Sequence, residues 1–535
     1  MKGVIPMLPL RDITIGQALK EAAQKYSSNP AIEYEKVSWN YEELDVFTDS
    51  LAKGFLTKGI TRGTHVGVFA TIDPTVLLVF YALQKIGAVT VMYYTNLHAA
   101  KLEEQLIDTE CKYLLISKKV AASEASAFCK ELTEKGVCDI ITIGNGRYSS
   151  FTNFSDLLSA AKQVSTEQLE AAKAAVTPQD PSVILFTSGT SGKSKAVVTS
   201  HYSRVNGGIQ QAHDIGATQA DSFCVALPMY HCFCISTNIM AALAVGAKLH
   251  LMTNKRTQTI LDAISKHKCT VLNAVPTLFH ALSARTDLDR FDLSSLRVGF
   301  IGGGTYSPQQ FEEFEKTLGI TLMSSLGLTE GTAGITVCNM DDSIAVRSTT
   351  VGHFMSHIEG KIIDVTTGET LPEGRQGEIC VRGYVVMQGY YGEPELTAEV
   401  VDKDGWLHTG DLGWLDEQGN LHLCGRLKDL VIRGGENISP LEVTNVIVEH
   451  PLIKDARVIG VPDAHYGEEL CACVVLQENA VLTEEEIREY VAQRLAFYKV
   501  PRYVLYFKEL PYNSTGKILV GRLKEMVMET GRIKG

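Results

Sequence analysis

No stretch of this 535-residue chain approaches the roughly 18 apolar residues of a membrane span. Integral membrane association is therefore not expected. Positive charge is also short: 50 Lys and Arg against 62 Asp and Glu leave a formal net charge of -12. Such a surface offers little to a polyanion and argues against nucleic-acid binding. A single anionic nucleotide can still be held by backbone amides and a few local cations. The twelve cysteines have no framework. Cys232 with Cys234, and Cys471 with Cys473, form C-x-C pairs that lack the second half of a zinc site. They read as small apolar residues of a reduced, cytosolic protein. The opening MKGVIPMLPLRDITIGQAL has no long apolar segment and the closing GRIKG no peroxisomal or prenyl signal, so no targeting is expected. Repeats and low-complexity tracts are missing too. The 45% hydrophobic and 21% charged content is that of an ordinary globular enzyme.

A chain of this length exceeds one compact core, so two or more domains are expected. IGQALKEAAQKY and YEELDVFTDSLAKGFLTKG carry the three-to-four spacing of surface helices. HVGVFA, VTVMYY and YLLIS are short apolar runs suited to buried strands. Their alternation predicts an α/β fold with mostly parallel sheet. VSTEQLEAAKAAVTPQDP reads as a polar link. Strand and helix continue through FCVALP, KLHLM, CTVLNAVP, RVGFIGGG and TLMSSLG. From about 350 to 427 short alternating stretches with Gly turns predict a small antiparallel barrel or sheet. After Gly425 come PLEVTNVIVEHP, DARVIGVP, ELCACVVL, LTEEEIREYVAQRLAFY and GRLKEMVMETG, the pattern of a separate small α+β domain. The alternation in ELCACVVL places Cys471 and Cys473 on one face.

SVILF runs straight into Thr187-Ser188-Gly189-Thr190-Ser191-Gly192-Lys193-Ser194-Lys195. Two glycines let backbone approach an anion, hydroxyls and N–H groups can surround phosphate oxygens, and two lysines supply charge. A P-loop needs a glycine five positions before Gly192, where Thr187 stands, so that spacing fails. Ile301-Gly302-Gly303-Gly304-Thr305 follows a strand but does not spell a dinucleotide fingerprint.

Seven motifs in fixed order resemble the adenylate-forming superfamily of acyl-CoA synthetases, adenylation domains and luciferases. They are the loop at 187–195, Leu227-Pro228-Met229-Tyr230-His231, Gly302-Gly303-Gly304, Leu326-Gly327-Leu328-Thr329-Glu330, Gly405-Trp406-Leu407-His408-Thr409-Gly410-Asp411, Gly425-Arg426-Leu427-Lys428-Asp429, and Asn513-Ser514-Thr515-Gly516-Lys517. The resemblance implies a large domain, 1–427, of parallel α/β sheets with a small β-barrel-like subdomain. A small mobile α+β domain, 428–535, would carry the catalytic lysine, with Lys428 as hinge.

It also implies the chemistry. A carboxylate oxygen attacks the α-phosphate of ATP, pyrophosphate leaves, and coenzyme A then takes the acyl group while AMP leaves. Lys517 would bring a cation to the α-phosphate and the acyl carboxylate. Glu330 with Thr190 would hold Mg²⁺, a hard cation that wants oxygen. Thr187, Ser188, Gly189, Thr190, Ser191, Gly192 and Lys195 would wrap the phosphates. Gly302, Gly303, Gly304, Leu326, Gly327 and Thr329 would form the adenine slot and pocket floor. Asp411 and Arg426 would reach the ribose, and Gly434 and Gly435 the pantetheine arm. His231, with Phe233, Ser236 and Asn238, would line the acyl pocket.

Some positions depart from the family pattern: Ser194 for Pro, Ala196 for Gly, Leu326 for an adenine-stacking Tyr, and Tyr512 and Val520 for basic residues. The substrate reads as a fatty acid, of medium chain length, or an aryl acid, because no pocket Asp or Arg is evident for an amino acid. Two rivals stay open: loading of a carrier protein in place of coenzyme A, and a non-catalytic nucleotide binder that kept the fold.

Overall fold

The computed structural model describes residues 8–71, 73–95, 97–117, 125–144, 151–187, 194–252, 254–304, 306–332, 334–434, 436–463, 465–512 and 518–533. Two mostly parallel sheets form the bulk of the molecule. The first orders its strands as Gly389–Tyr390, Lys195–Ser200, Pro181–Thr187, Val89–Met92, His65–Phe69, Tyr113–Ser117, Asp139–Ile143 and Thr152–Asn153. Its central strands are buried on both faces, which is why they read as unbroken apolar runs. The second runs Thr321–Ser324, Val298–Ile301, Val271–Leu272, Ser222–Val225, Lys248–Leu251, Pro30–Tyr34 and Val37–Asn40, parallel except for its last pair.

The helices obey the local rules. Thr14 and Asn40 cap Ile15–Lys25 and Tyr41–Leu56 through reciprocal capping boxes. Helix His201–Asp214 packs so tightly on the π-helical turn Ile235–Met240 that a Cβ on Gly208 would stand 2.5 Å from the Met240 side chain. One apolar core links both sheets and these helices.

The Gly-rich stretch after 350 forms a four-stranded antiparallel sheet: Ile358–Ile363, Gly377–Gly383, Leu407–Leu415 and Leu421–Arg426. Beyond Asp429 a further sheet uses only later residues, with Gly467–Leu476 at its centre pairing Ile453–Asp463 antiparallel and Tyr503–Tyr506 parallel. Two apolar clusters of this region draw solely on residues from Val431 onward. Cys471 and Cys473 do share a face, packed in one cluster with Leu523 and Val527 of helix Val520–Glu529.

Two local readings change. The polar link contains a helix, Thr166–Ala174, started by a Ser165/Gln168 capping box. The helix expected through Tyr498 stops at Ala492, and a 3-10 turn, Phe497–Lys499, follows before Pro501. Within the mostly parallel first sheet, strands Pro181–Thr187 and Lys195–Ser200 pair antiparallel as a hairpin.

Candidate active site

That hairpin sets the first part of the site. Strands Pro181–Thr187 and Lys195–Ser200 pair antiparallel up to Thr187 opposite Lys195, which brackets the phosphate loop at its base. Strand Gly389–Tyr390 joins the far side of the hairpin. Its Tyr390 ring carries the Lys195 ammonium 4.8 Å from its centroid. The Tyr390 hydroxyl donates to Glu330 Oε1 at 3.0 Å, and Met387 N–H donates to the Glu330 carbonyl at 2.8 Å. Burial, then the Glu330 charge, pushes the Tyr390 phenol far up, so it stays a hydrogen-bond donor. Loop base, cation and carboxylate are thus tied by one tyrosine that motif reading passed over.

The second part is a charged pair on two antiparallel strands. Asp411 and Arg426 face each other across strands Leu407–Leu415 and Leu421–Arg426. Arg426 Nε donates to Asp411 Oδ1 at 2.7 Å. Gly410, at φ 69°, makes the bend and donates its N–H to Glu378 Oε1 at 3.0 Å. Glu378 Oε2 meets His408 Nδ1 at 3.0 Å, and Thr409 Oγ1 donates to the Ile379 carbonyl at 2.7 Å. Burial pulls the Arg426 guanidinium down, but Asp411, Asp429 and Glu330 outweigh it and raise it. Arg426 therefore sits in the combined field of three carboxylates, Asp411, Asp429 and Glu330. A cleft of about 180 Å³ opens here, lined by Asp411, Arg426, Asp429, Pro440, Leu441 and Arg457 among others.

The third part lies at the carboxyl ends of the second sheet's strands, where ligands of α/β folds collect. Val298–Ile301 and Thr321–Ser324 are parallel neighbours, so the following loops lie side by side. Gly302 would bring a Cβ to 3.2 Å from the Ser325 carbonyl, and Gly303 has φ 79°. Leu326 is buried, its N–H given to Thr336 Oγ1 at 3.1 Å, and Gly327 bridges Gly334. His231 caps the turn Cys232–Cys234, with Nδ1 accepting from Phe233 N–H at 3.2 Å. Cys232 Sγ stands 3.8 Å from His231 Nδ1 and 3.7 Å from Thr329 Oγ1. Burial pushes that thiol up, but His231, buried Arg204 and Thr329 outweigh it and bring it to about 7. The Tyr94 and Tyr230 rings stand 4.7 Å apart beside this turn.

Residues 19–391 match the family described as AMP-binding enzyme, and 442–517 match its C-terminal domain. The chain belongs to the AMP-binding enzyme family. It is 33% identical over 541 residues to YngI of Bacillus subtilis (strain 168), with 98% of each chain covered. It is 32% identical over 539 residues to a Danio rerio protein named medium-chain acyl-CoA ligase ACSF2, mitochondrial, covering 97% of this chain and 89% of that one. A solved structure of ATP-bound MatB from Rhodopseudomonas palustris superposes with a TM-score of 0.84 at 26% identity, covering 97% of this chain and 100% of that one. This AMP-binding enzyme is an AMP-forming acid–thiol ligase. It uses ATP to make an acyl-adenylate and passes the acyl group to coenzyme A.

The remaining expected site residues fall into three groups. Lys428 is exposed within the turn Leu427–Asp429, between the antiparallel sheet and the last one. Gly434 has φ 60°, donates its N–H to the Tyr466 carbonyl at 3.0 Å, and would press a Cβ onto the Tyr466 ring. Ser188, Gly189, Thr190, Ser191, Gly192, Gly435 and Lys517 lie outside the described residues. Tyr512 and Ile518 form an isolated antiparallel bridge, and Tyr512 donates its hydroxyl to Asp455 Oδ2 at 2.6 Å. Tyr512, a departure from the family pattern, is thus tied to strand Ile453–Asp463. Asp455 lies within electrostatic reach of His280, on helix Pro276–Ser283 beside Gly304. Ser236 and Asn238 are fully buried. Ser236 takes a hydrogen bond from Arg204 and gives one to the Thr332 carbonyl. Arg204 itself had no motif to mark it. It is wholly buried, bonded to Thr199, Ser236 and Thr332, and burial brings it down to about 10.

Proposed function

We propose that this ligase activates a medium-chain fatty acid. The observation that carries this reading is the chemistry around His231: the paired Tyr94 and Tyr230 rings, Phe233 and the Cys232 thiol. An α-amino acid needs a carboxylate against its ammonium group, and none stands among these residues. The name of the Danio rerio relative supports the same class.

Adenylation takes place where the phosphate hairpin, Glu330 and the Asp411–Arg426 pair converge. Asp411 and Arg426 orient the ribose. The backbone of Thr187 to Gly192, with Lys195, neutralises the phosphates. Gly302, Gly303, Gly304, Leu326 and Gly327 leave room for the adenine, while Thr329 and His231 bound the reacting carboxylate. Lys517 stabilises charge at the α-phosphate as the carboxylate oxygen bonds to phosphorus and pyrophosphate departs. Glu330 presents a hard carboxylate, one oxygen of which is hydrogen-bonded to Tyr390, and with Thr190 it would hold Mg²⁺. That ion would supply charge neutralisation at the phosphates. The chain divides into 1–427 and 428–535 about Lys428. In a second pose Gly434 and Gly435 flank the pantetheine arm, the thiol attacks the acyl carbonyl, and AMP leaves. The twelve cysteines, eleven of them buried, support a reducing compartment, and we place the enzyme in the cytosol.

The test is pyrophosphate release with Mg-ATP across fatty, aryl and amino acids, with and without coenzyme A. Release with C6–C12 acids, accelerated by coenzyme A and yielding AMP and thioester, is the expected result. Release that coenzyme A does not accelerate would move the acceptor to a carrier protein. Preference for aryl or amino acids would overturn the substrate class.

A further inference from the structure

Two groups of side chains among the described residues carry metal-ligating chemistry. One, Glu378 with Cys380 and His408, is already engaged in holding the Asp411 turn. The other, Glu33 with His250 and His267, plays no part in the nucleotide or acyl site.

Three elements of the second sheet build it. Glu33 on strand Pro30–Tyr34 and His250 on strand Lys248–Leu251 are cross-strand partners, so their side chains leave the same face. Helix Thr257–His267, which follows the His250 strand in the chain, brings in His267 as its last residue. His267 Nδ1 stands 2.7 Å from Glu33 Oε1, and His250 Nδ1 stands 3.7 Å from Glu33 Oε2. The two imidazole centroids are 4.3 Å apart. One ligand atom from each of the three residues lies within 4.8 Å of the others. A tetrahedral zinc ion with bonds of roughly 2.0–2.1 Å sets its ligand atoms roughly 3.4 Å apart, a spacing inside the range seen here. His250 is 5% exposed, and its Nδ1 has no hydrogen-bond partner. A buried ring nitrogen that lacks a close hydrogen bond and stands 3.7 Å from a carboxylate is a position an ion can occupy. The His267 side chain is 33% exposed, which gives an ion a route from solvent.

We propose that Glu33, His250 and His267 bind one divalent transition-metal ion of the zinc class, pinning the outer strands of the second sheet to the end of the helix. Two imidazoles and a carboxylate select zinc over magnesium, which prefers an all-oxygen shell. The site is therefore separate in chemistry from any magnesium that accompanies ATP. Lys248 works against it: its ammonium lies 2.5 Å from Glu33 Oε2, and a fixed positive charge repels the incoming ion. Removing that charge should strengthen binding, whereas an ion-pair cluster without a metal role would only be weakened.

The experiment titrates zinc chloride by calorimetry into the full chain, stripped with EDTA and free of nucleotide and magnesium. Wild type is compared with the double variant His250→Gln, His267→Gln and with Lys248→Gln. One zinc at micromolar Kd is expected in wild type, beyond what the thiols bind. It should weaken at least tenfold in the double variant and tighten several-fold in Lys248→Gln. Cobalt(II) should give the visible absorption of a tetrahedral nitrogen–oxygen site in wild type only. Equal zinc binding by wild type and double variant, or no binding by wild type, overturns the proposal. If circular dichroism shows the double variant unfolded, Lys248→Gln and the wild-type cobalt spectrum decide the matter. Tighter zinc with the tetrahedral spectrum supports the site, and unchanged zinc or no such spectrum defeats it.

Discussion

The two ends of the proposed nucleotide and acyl site are held by different forces. At the ribose end, Asp411, Arg426, Glu378 and His408 form short charge-assisted contacts of 2.7 to 3.0 Å on adjacent antiparallel strands. At the acyl end, His231, Cys232 and Thr329 meet through sulfur contacts of 3.7 and 3.8 Å around a three-residue turn. Charged bonds are strong and directional, whereas sulfur contacts are soft and tolerate displacement. We expect the Asp411–Arg426 end, proposed to meet the invariant nucleotide, to be the stiffer, and the His231–Cys232 end, proposed to meet the variable acyl chain, to adjust.

The largest effect that would sharpen this contrast belongs to Lys517. Lys517→Ala should lower adenylation about 100- to 1,000-fold, the usual consequence of losing a donor aimed at developing charge. Thioester formation from supplied acyl-AMP should be spared. Equal loss of both half-reactions in single-turnover assays would break the two-pose arrangement.

Asp411→Asn comes next. It leaves Arg426 without its anion inside a half-closed cleft, and loss of a charged hydrogen bond costs about 1.5–3 kcal/mol. The KM for ATP should rise roughly 10- to 150-fold, with little change for the acid. A rise confined to the acid would mean that the ribose assignment is wrong. Tyr390→Phe keeps the ring under Lys195 and removes only the hydroxyl on Glu330. We expect a fall of about tenfold in kcat/KM for Mg-ATP, in line with one charged hydrogen bond, and a higher magnesium requirement. Unchanged magnesium dependence would show that Tyr390 merely fills space.

The smallest effect tests the soft end. Cys232→Ala should change adenylation about twofold at most, because its longer contacts carry little energy. The thiolate is the reactive form and grows in as pH rises through about 7. Alkylation of Cys232, followed by mass spectrometry, should accelerate over that window. His231→Ala removes the group that most lowers the thiol, so labelling at pH 7 should slow and its midpoint should move up. A midpoint that stays near 7 would detach Cys232 from His231.

Much of this was legible beforehand for a physical reason. Apolar runs, three-to-four spacing and glycine turns are local, so the parallel strands, the surface helices and the hairpin-rich sheet followed from residues near one another. The same locality explains the misses. Helix Thr166–Ala174 lies on a chain segment with a weak apolar stripe, and only its cap announced it. The return of strand Lys195–Ser200 depends on pairing chosen by distant partners, including Gly389–Tyr390.

By itself the sequence determined the motifs and their order, hence the family, the α/β class and the identity of the charged residues. It could do so because phosphate loops and acidic turns are built from contiguous residues with fixed chemistry. Only the tertiary structure decided that Tyr390 joins Lys195 to Glu330, that Arg204 is buried behind the acyl turn, and that Glu33, His250 and His267 converge. Those contacts span 195, 128 and 234 positions at their widest. Nothing local marks a partner that far away. Strand order and packing alone bring such residues together.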